Sequence, residues 1–497
     1  MSTTAPSLQP SGTHRSGLHR DLRIDEVIAG THRLDLPGIV RLFQEADLHD
    51  LGTWSSAVCD RIHGSAPSPR TYVIDRNINY TNVCSANCTF CAFKRDLGDE
   101  DSYVLDTATL NQKIQELVDI GGTQILLQGG MHPELDLAWY VDMLRKMKTA
   151  FPQVHIHGFS PPEIVEFVAV LEIDGYPTPG VRRSHELPED VWLAKCEAIL
   201  TELRDAGLDS LPGGGGEIFA EHVRSRIGLG KATARQWLDV MTVGHKLGLN
   251  TSATMMFGHL EGFADRAHHM LTVRDRQDFA LERGYAGKTM AFISWPYQRE
   301  NTPLGRLSDW DAELSDDFHG DLAAEAVHLK SVDPTDKRAV ASAAPRFGKS
   351  LRMAGAHMYL RTQAISRLVL DNVHSIGSSW VTMGPHIGQL ALKFGANDMG
   401  SVMMEENVVS AAGTTYQLNE AVLCRLIRDA GHVPAQRNNR YDLLNVHEDL
   451  VTSPDGRVDD WSTQRAGKLS PDSEAQPGDE GRNGAVPLTI RDSEGAD

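Results

Sequence analysis

Thiols are scarce: six cysteines in 497 residues, too sparse for the disulfide framework of a small secreted domain. No stretch of about eighteen apolar residues occurs, so no membrane span is expected. The opening MSTTAPSLQPSGTHRSG has no apolar segment of the kind a signal peptide needs. The expectation is therefore a cytoplasmic protein, where free thiols persist. Basic residues are also short, 48 Lys and Arg against 67 Asp and Glu, for a net charge of −19. Nucleic-acid binding needs a basic surface, so that class of partner is not expected. What is plentiful is chain length and a 41% hydrophobic fraction, enough to bury a barrel-sized core.

Half of the few cysteines crowd into one stretch, Cys84-Ser85-Ala86-Asn87-Cys88-Thr89-Phe90-Cys91, with the spacing C-x-x-x-C-x-x-C. Thiolates are soft ligands that suit iron–sulfur clusters. A cubane has four irons, so three local cysteines leave one iron for a distant residue or a small molecule. The alternative is a structural zinc site. Such sites usually pair one C-x-x-C with another, and Cys59, Cys196 and Cys424 are solitary.

Around that stretch the chain alternates helices and short apolar strands. Residues 1–20 read as a polar leader and 21–69 as a small helical cap with apolar residues at helical spacing. Thr71–Tyr80 reads as the first strand, ending in the cysteine loop. Further strands are expected within the turn–strand–turn Gly121–Gly130 and at Val154–Phe159, Gly207–Leu211, Thr251–Phe257, Thr289–Ser294, Ser379–Thr382 and Gly395–Val402, with helices between them. About eight βα units over residues 70–450 imply an α/β fold, a parallel (β/α)8 barrel of the TIM type. Residues 173–190 and 305–349 fit the pattern poorly and read as insertions, and 451–497 as a polar tail.

His155 and His157 lie two apart on a strand, so both point to one face. That is also a metal-ligand arrangement, but no third ligand is evident, and contact with a substrate in the barrel lumen is the alternative. The run Pro212-Gly-Gly-Gly-Gly-Glu217 lacks the Gly-Lys-Ser/Thr of a phosphate loop, as does the stretch around Lys231. His259 and Glu261 follow a strand and are candidates for a catalytic base.

The blocks NYTNVCSANCTFCAF, GGTQILLQGGMHPELDLAWYVDMLR, HIHGFSPPEI, LPGGGGEI, TSATMMFGH, SSWVTMGPHIGQLALKFGANDMGSVMMEENV and PAQRNNRYDLL resemble the radical S-adenosylmethionine (SAM) enzymes of the futalosine route to menaquinone and their deazaflavin-forming relatives. Within that group the late block resembles the cyclase branch. The sister synthase would show an Asp-Asp-Leu-Asp-Gly-like stretch at Asn397–Ser401. The resemblance implies a radical SAM barrel with a [4Fe–4S] cluster on Cys84, Cys88 and Cys91, and SAM bound at the open iron. Phe90 would pack near adenine, and the backbone of Gln128, Gly129 and Gly130 would receive the SAM amino group. Glu217 and Arg224 would touch the ribose or carboxylate of SAM or substrate, a salt bridge being the equal alternative. His155, His157, Asn397, Glu405 and Arg437 would meet the substrate, Arg437 through its benzoate carboxylate. The implied substrate is dehypoxanthine futalosine, and the implied partner a low-potential electron donor such as flavodoxin or ferredoxin. Aminofutalosine synthase, deazaflavin synthase and a non-catalytic zinc-binding barrel remain the alternatives.

Overall fold

The computed structural model describes residues 17–180, 186–229, 232–310, 337–343, 347–414, 416 and 418–448. Its centre is one parallel sheet. The strands are β1 (Pro69–Val73), β2 (Asp75–Asn79), β3 (Gln124–Gln128), β4 (His155–Gly158), β5 (Ser210–Leu211), β6 (Asn250–Phe257), β7 (Thr289–Pro296), β8 (Ser375–Gly377) and β9 (Asp398–Ser401). Each pairs in parallel with the next from β2 to β9, and β9 pairs with β1. Only Ile74 separates β1 from β2, so the two form one continuous stave and the ring of pairings returns on itself. Eight staves make the barrel expected from the alternation.

The helices that follow the strands start where their sequences tell them to. Asp106, Asp136 and Asn419 accept from the N–H groups of Thr109, Trp139 and Val422, each satisfying a donor that the first turn leaves unpaired. The helix Thr107–Asp119 then buries Leu110, Ile114 and Leu117, spaced to lie on one stripe against the sheet. The strands complete the layer: Ile125, Leu127 and Ile156 are fully buried under helices, while the residues between them face the lumen.

The N-terminal helices Leu36–Glu45 and Leu48–His63 lie on the flank of the barrel, not over its mouth. Arg361 on the helix Ala356–Val369 donates to the carbonyls of Leu42 and Phe43. Arg274 on Phe263–Glu282 donates to Leu34.

One strand was misplaced by the sequence pattern. The seventh stave is Ser375–Gly377, and the apolar run after it is a helical turn, Trp380–Met383. Trp380 is buried there with its indole N–H on the Ser401 carbonyl at 3.2 Å. Two further strands, β10 (Val433–Arg437) and β11 (Leu443–Val446), form a hairpin. β10 runs beside β1 and brings the Arg437–Asp442 turn beneath the barrel.

Most of the segment 305–349 and all of 451–497 lie outside the described residues, as do residues 1–16. At the base of the first, Ser308–Asp309 and Ser350–Leu351 form a two-residue parallel ladder, and Trp310 N–H adds a rung to the Leu351 carbonyl at 2.7 Å.

Candidate active site

The loop after β2 carries the clustered cysteines at the C-terminal end of the barrel, where such folds do chemistry. It is stitched to four separate parts of the chain. Cys84 N–H donates to Arg95, Ser85 N–H to Met131 at 2.9 Å, Thr89 N–H to Ile227 at 2.8 Å, and Leu304 N–H to Thr89 at 2.7 Å. Asn87–Cys88 adds an antiparallel ladder with Gly228–Leu229, and Ser85 Oγ donates to Glu166 at 2.9 Å.

Cys84, Cys88 and Cys91 are half-buried and in no disulfide, whereas Cys59, Cys196 and Cys424 are buried. Burial pushes the Cys196 thiol well up and the Cys424 thiol up to about 12, which keeps both protonated and inert. Among the described residues no group of three His, Cys, Asp or Glu, the cysteine trio included, is arranged around a single metal ion.

The second wall of the site is backbone. A Cβ on Gly130 would stand 2.0 Å from the Val83 carbonyl oxygen and 2.9 Å from Cys84 Cβ; one on Gly129 would meet the Tyr80 ring at 2.5 Å. Only glycine lets this turn lie flush against the cysteine loop. Glu163, unsuspected from the sequence, holds the turn. One of its oxygens accepts from Gly129 N–H at 3.1 Å and Tyr80 OH at 2.8 Å, the other from Ser160 N–H and Oγ at 2.7 Å. Burial raises the Glu163 carboxyl, against the pull of those four donors. Its signal in the sequence is the Ser160-Pro-Pro-Glu163 capping box that opens Pro161–Val170.

The glycine run after β5 has the same purpose. A Cβ on Gly213 would lie 2.5 Å from the Ser252 carbonyl, and one on Gly216 2.4 Å from that of Thr254. The run is pressed against β6, not shaped around a phosphate. Arg224, buried beneath it, donates to the carbonyls of Gly215, Gly216, Ile218 and Ala232 at 2.6–3.2 Å, with the Glu217 carboxylate 4.0 Å away. Burial pulls this guanidinium below its ordinary value; Glu217, Glu221 and Cys88 oppose that. Arg224 thus braces the loop beside Cys88. Phe90 packs half-buried on the core, and His132 Nδ1 accepts from Glu134 N–H at 3.1 Å.

Beneath the mouth, the lumen-facing side chains Leu126, Gln128, His157, Ser252, Ile293 and Trp295 keep accessible surface although their strands are central. They give the lumen a mixed apolar and polar lining.

Several expected site residues lie elsewhere. His259 and Glu261 are fully buried. The carboxylate of Glu261 accepts from Gly258 N–H, His259 N–H and Arg266 Nε at 2.6–2.9 Å, and His259 Nε2–H donates to Met256 at 3.0 Å. They close the turn after β6 and are not a reacting base. Glu405 sits outside the barrel between Arg76 at 2.5 Å and Lys113 at 2.9 Å. Burial is outweighed there by the two cations, which hold its carboxyl well below the usual range. Asn397 is at the opposite end of the barrel, accepting from Arg367 and Ile376 N–H at 2.6 and 2.9 Å. Arg437 lies on that floor too, bound to both oxygens of Asp398. The carboxylate also accepts from Thr71 Oγ1 at 2.6 Å and Gly400 N–H at 2.5 Å. Burial works against the Arg437 charge, but Asp398 more than offsets it. Already paired, Arg437 has little left for a substrate carboxylate. Glu406 and Asn407 are near the mouth, on Asn77 and Asn79.

Residues 78–273 match the model of the radical SAM superfamily, and residues 342–450 that of the CofH/MqnC C-terminal region. The chain is 38% identical over 418 residues to a cyclic dehypoxanthine futalosine synthase of Halalkalibacterium halodurans, covering 84% of this chain and 93% of that one. It is 34% identical over 437 residues to the synthase of that name from Streptomyces coelicolor, covering 88% and 92%. Among solved structures, methylornithine synthase superposes with a TM-score of 0.52 at 14% identity, over 82% of this chain and 94% of that one. That likeness speaks for the fold alone.

Proposed function

The chain belongs to the radical SAM superfamily, in the group whose barrel ends in a CofH/MqnC-type C-terminal region, and on that premise we propose that it cyclises dehypoxanthine futalosine in menaquinone biosynthesis. The observation that carries the reading is the trio of half-buried thiols on one loop at the barrel mouth, flush against a glycine turn that admits no side chain. A [4Fe–4S] cluster on Cys84, Cys88 and Cys91, with SAM, would supply the radical chemistry that removes the hydrogen from C4′ of the substrate ribose. The substrate carbon radical then attacks the attached benzoate ring. A carbon–carbon bond forms, and the ring regains aromaticity by losing one proton and one electron.

The chain's own part is to position and to exclude. Cys84, Cys88 and Cys91 hold the cluster. The Gln128–Gly130 backbone, kept in place by Glu163, receives the SAM amino group, and Arg224 fixes the facing wall. Leu126, Ile293 and Trp295 line the chamber in which ribose and benzoate are brought together away from water. A low-potential protein donor, flavodoxin or ferredoxin, supplies the reducing electron. No helix among the described residues is long and apolar enough to cross a membrane, in keeping with such a partner meeting the enzyme in the cytoplasm.

The test is to incubate the anaerobically reconstituted protein with dithionite, SAM and dehypoxanthine futalosine. Formation of 5′-deoxyadenosine together with a product lighter by two hydrogens is the expected result. A preparation that binds one zinc and no sulfide, or that makes no 5′-deoxyadenosine with this substrate, overturns the reading.

A further inference from the structure

The ring closure described above must shed a proton inside a chamber built to keep water out. His259 and Glu261, the acid–base pair that the sequence offers, are sealed in a turn. The lumen holds another group. His157 on β4 faces the chamber, and its Nδ1 lies 2.6 Å from Ser210 Oγ on β5. The same hydroxyl lies 2.7 Å from Nε2 of His155, two residues nearer the floor.

One hydroxyl between two imidazole nitrogens has a single proton to give, so it accepts from at least one of them. With His157 Nδ1–H as donor and His155 Nε2 as acceptor, both short contacts are satisfied in one direction. That leaves the Nε2 lone pair of His157 toward the lumen. Its only partner among the described contacts is Ser252 Oγ at 3.5 Å, a weak contact to a hydroxyl that already accepts from Gly213 N–H at 3.0 Å. Asn439 Oδ1, on the turn beneath the barrel, is a second acceptor for the Ser210 proton at 3.3 Å, a longer and weaker contact than the 2.7 Å to His155 Nε2.

The far end of the chain of contacts leads outward. His155 begins β4, half-buried, beside Asp209, Lys148 and Arg440. Asp209 and Lys148 form an ion pair at 2.5 Å and reach solvent. Of the neighbouring groups, His155 and Arg437 act on His157, both disfavouring its charged form.

We propose that His157, Ser210 and His155 form a proton wire from the reaction chamber to the barrel floor, with His157 as the base that takes the ring proton. The proposal rests on the cyclase reading. In the step itself the ring C–H bond breaks, its proton goes to His157 Nε2, and its electron pair stays on the ring. The unpaired electron left over passes to a one-electron acceptor of the low-potential iron–sulfur class. His157 Nδ1–H is handed to Ser210, whose own proton moves to His155 and then to solvent.

The test compares 5′-deoxyadenosine with cyclic product in His157→Gln, Ser210→Ala and His155→Gln, using substrate with and without deuterium on the benzoate ring. Hydrogen removal from C4′ precedes the step, so the wire predicts that each variant still makes 5′-deoxyadenosine. The ratio of cyclic product to 5′-deoxyadenosine is expected to fall at least tenfold in His157→Gln and less in the other two. A ring-deuterium isotope effect on formation of the cyclic product should appear in each. Ser210→Ala leaves the His157 ring in place and serves if His157→Gln does not fold. A raised KM with the ratio unchanged would make His157 a binding residue only and overturn the wire. Absence of 5′-deoxyadenosine in the parent protein would overturn the cyclase reading instead.

Discussion

At the mouth of the barrel, Gly129, Gly130, Gly213 and Gly216 press bare backbone against its neighbours, and the side chains nearby mostly brace that backbone: Glu163 for one turn, Arg224 for the other. At the floor, side chains meet one another. Arg437 pairs with Asp398, Asp75 accepts from Gln124 at 3.0 Å and from Ser401, and His155 is held by Ser210. The mouth has to leave room for ligands, so its polar groups are backbone donors and acceptors whose positions are fixed from behind. The floor admits nothing, so its charges can be spent on one another. A buried pair of that kind is costly to break and specific in geometry.

If this contrast holds, substitutions at the two ends should separate catalysis from folding. The largest effect is expected at the mouth. Cys88→Ala should abolish iron and sulfide binding and lower cyclic product by at least about a thousandfold, about 4 kcal/mol of barrel chemistry, with the thermal midpoint of the apo-protein nearly unmoved. A large fall in that midpoint would show that the loop stabilises the fold as well.

Next is the floor. Asp398→Ala leaves Arg437 buried without its carboxylate and should cost about 3–5 kcal/mol of stability, read by urea unfolding of the apo-protein. Replacing both partners with apolar residues should be milder. If Asp398→Ala unfolds no more easily than the parent, the floor is not held by charge.

Gly130→Ala sharpens the comparison from the other side. A methyl group 2.0 Å from the Val83 carbonyl forces the turn and the cysteine loop apart, at about 1–3 kcal/mol. Cluster content measured by iron and sulfide should fall more than stability does. The smallest effect is on pH. Burial holds His155 down to about 4 and His157 down to about 3, so both are neutral when folded, whereas unfolded imidazoles protonate near about 6.5. Below that value the unfolded chain binds protons that the folded one refuses, so stability should fall as pH drops from about 6.5 toward 4. In His155→Gln that slope should be shallower.

Much of the mouth was legible in the sequence because its signals are local. The spacing of Cys84, Cys88 and Cys91 is local, as is the Gln128-Gly129-Gly130 turn. Glu163 was missed, although its signal is just as local: it stands three residues after Ser160 in a capping box. The barrel followed from alternation, except at Ser375–Gly377, where a short strand gives way to an apolar helical turn and the pattern alone does not distinguish them. Asn397, Glu405 and Arg437 were misjudged for a different reason. Each lies close to a late strand, but period alone says neither which end of the stave a residue occupies nor which face it takes. Their partners, Arg367, Arg76 and Asp398, are 30 or more positions away or on another stave. Polar residues read one at a time look available; the structure shows them occupied.

The short parallel ladder between Ser308–Asp309 and Ser350–Leu351 makes the intervening stretch a side branch. Chain that leaves at Asp309 is returned to the same spot, with Phe347 buried against His222 and Arg226 just before the return, so the barrel walls need not register length added ahead of Phe347. Doubling such a detour costs only about 0.6 kcal/mol in closure entropy. The ladder therefore marks a graft point, where a reporter or a tethered electron carrier can be spliced beside the cysteine loop without disturbing a single stave.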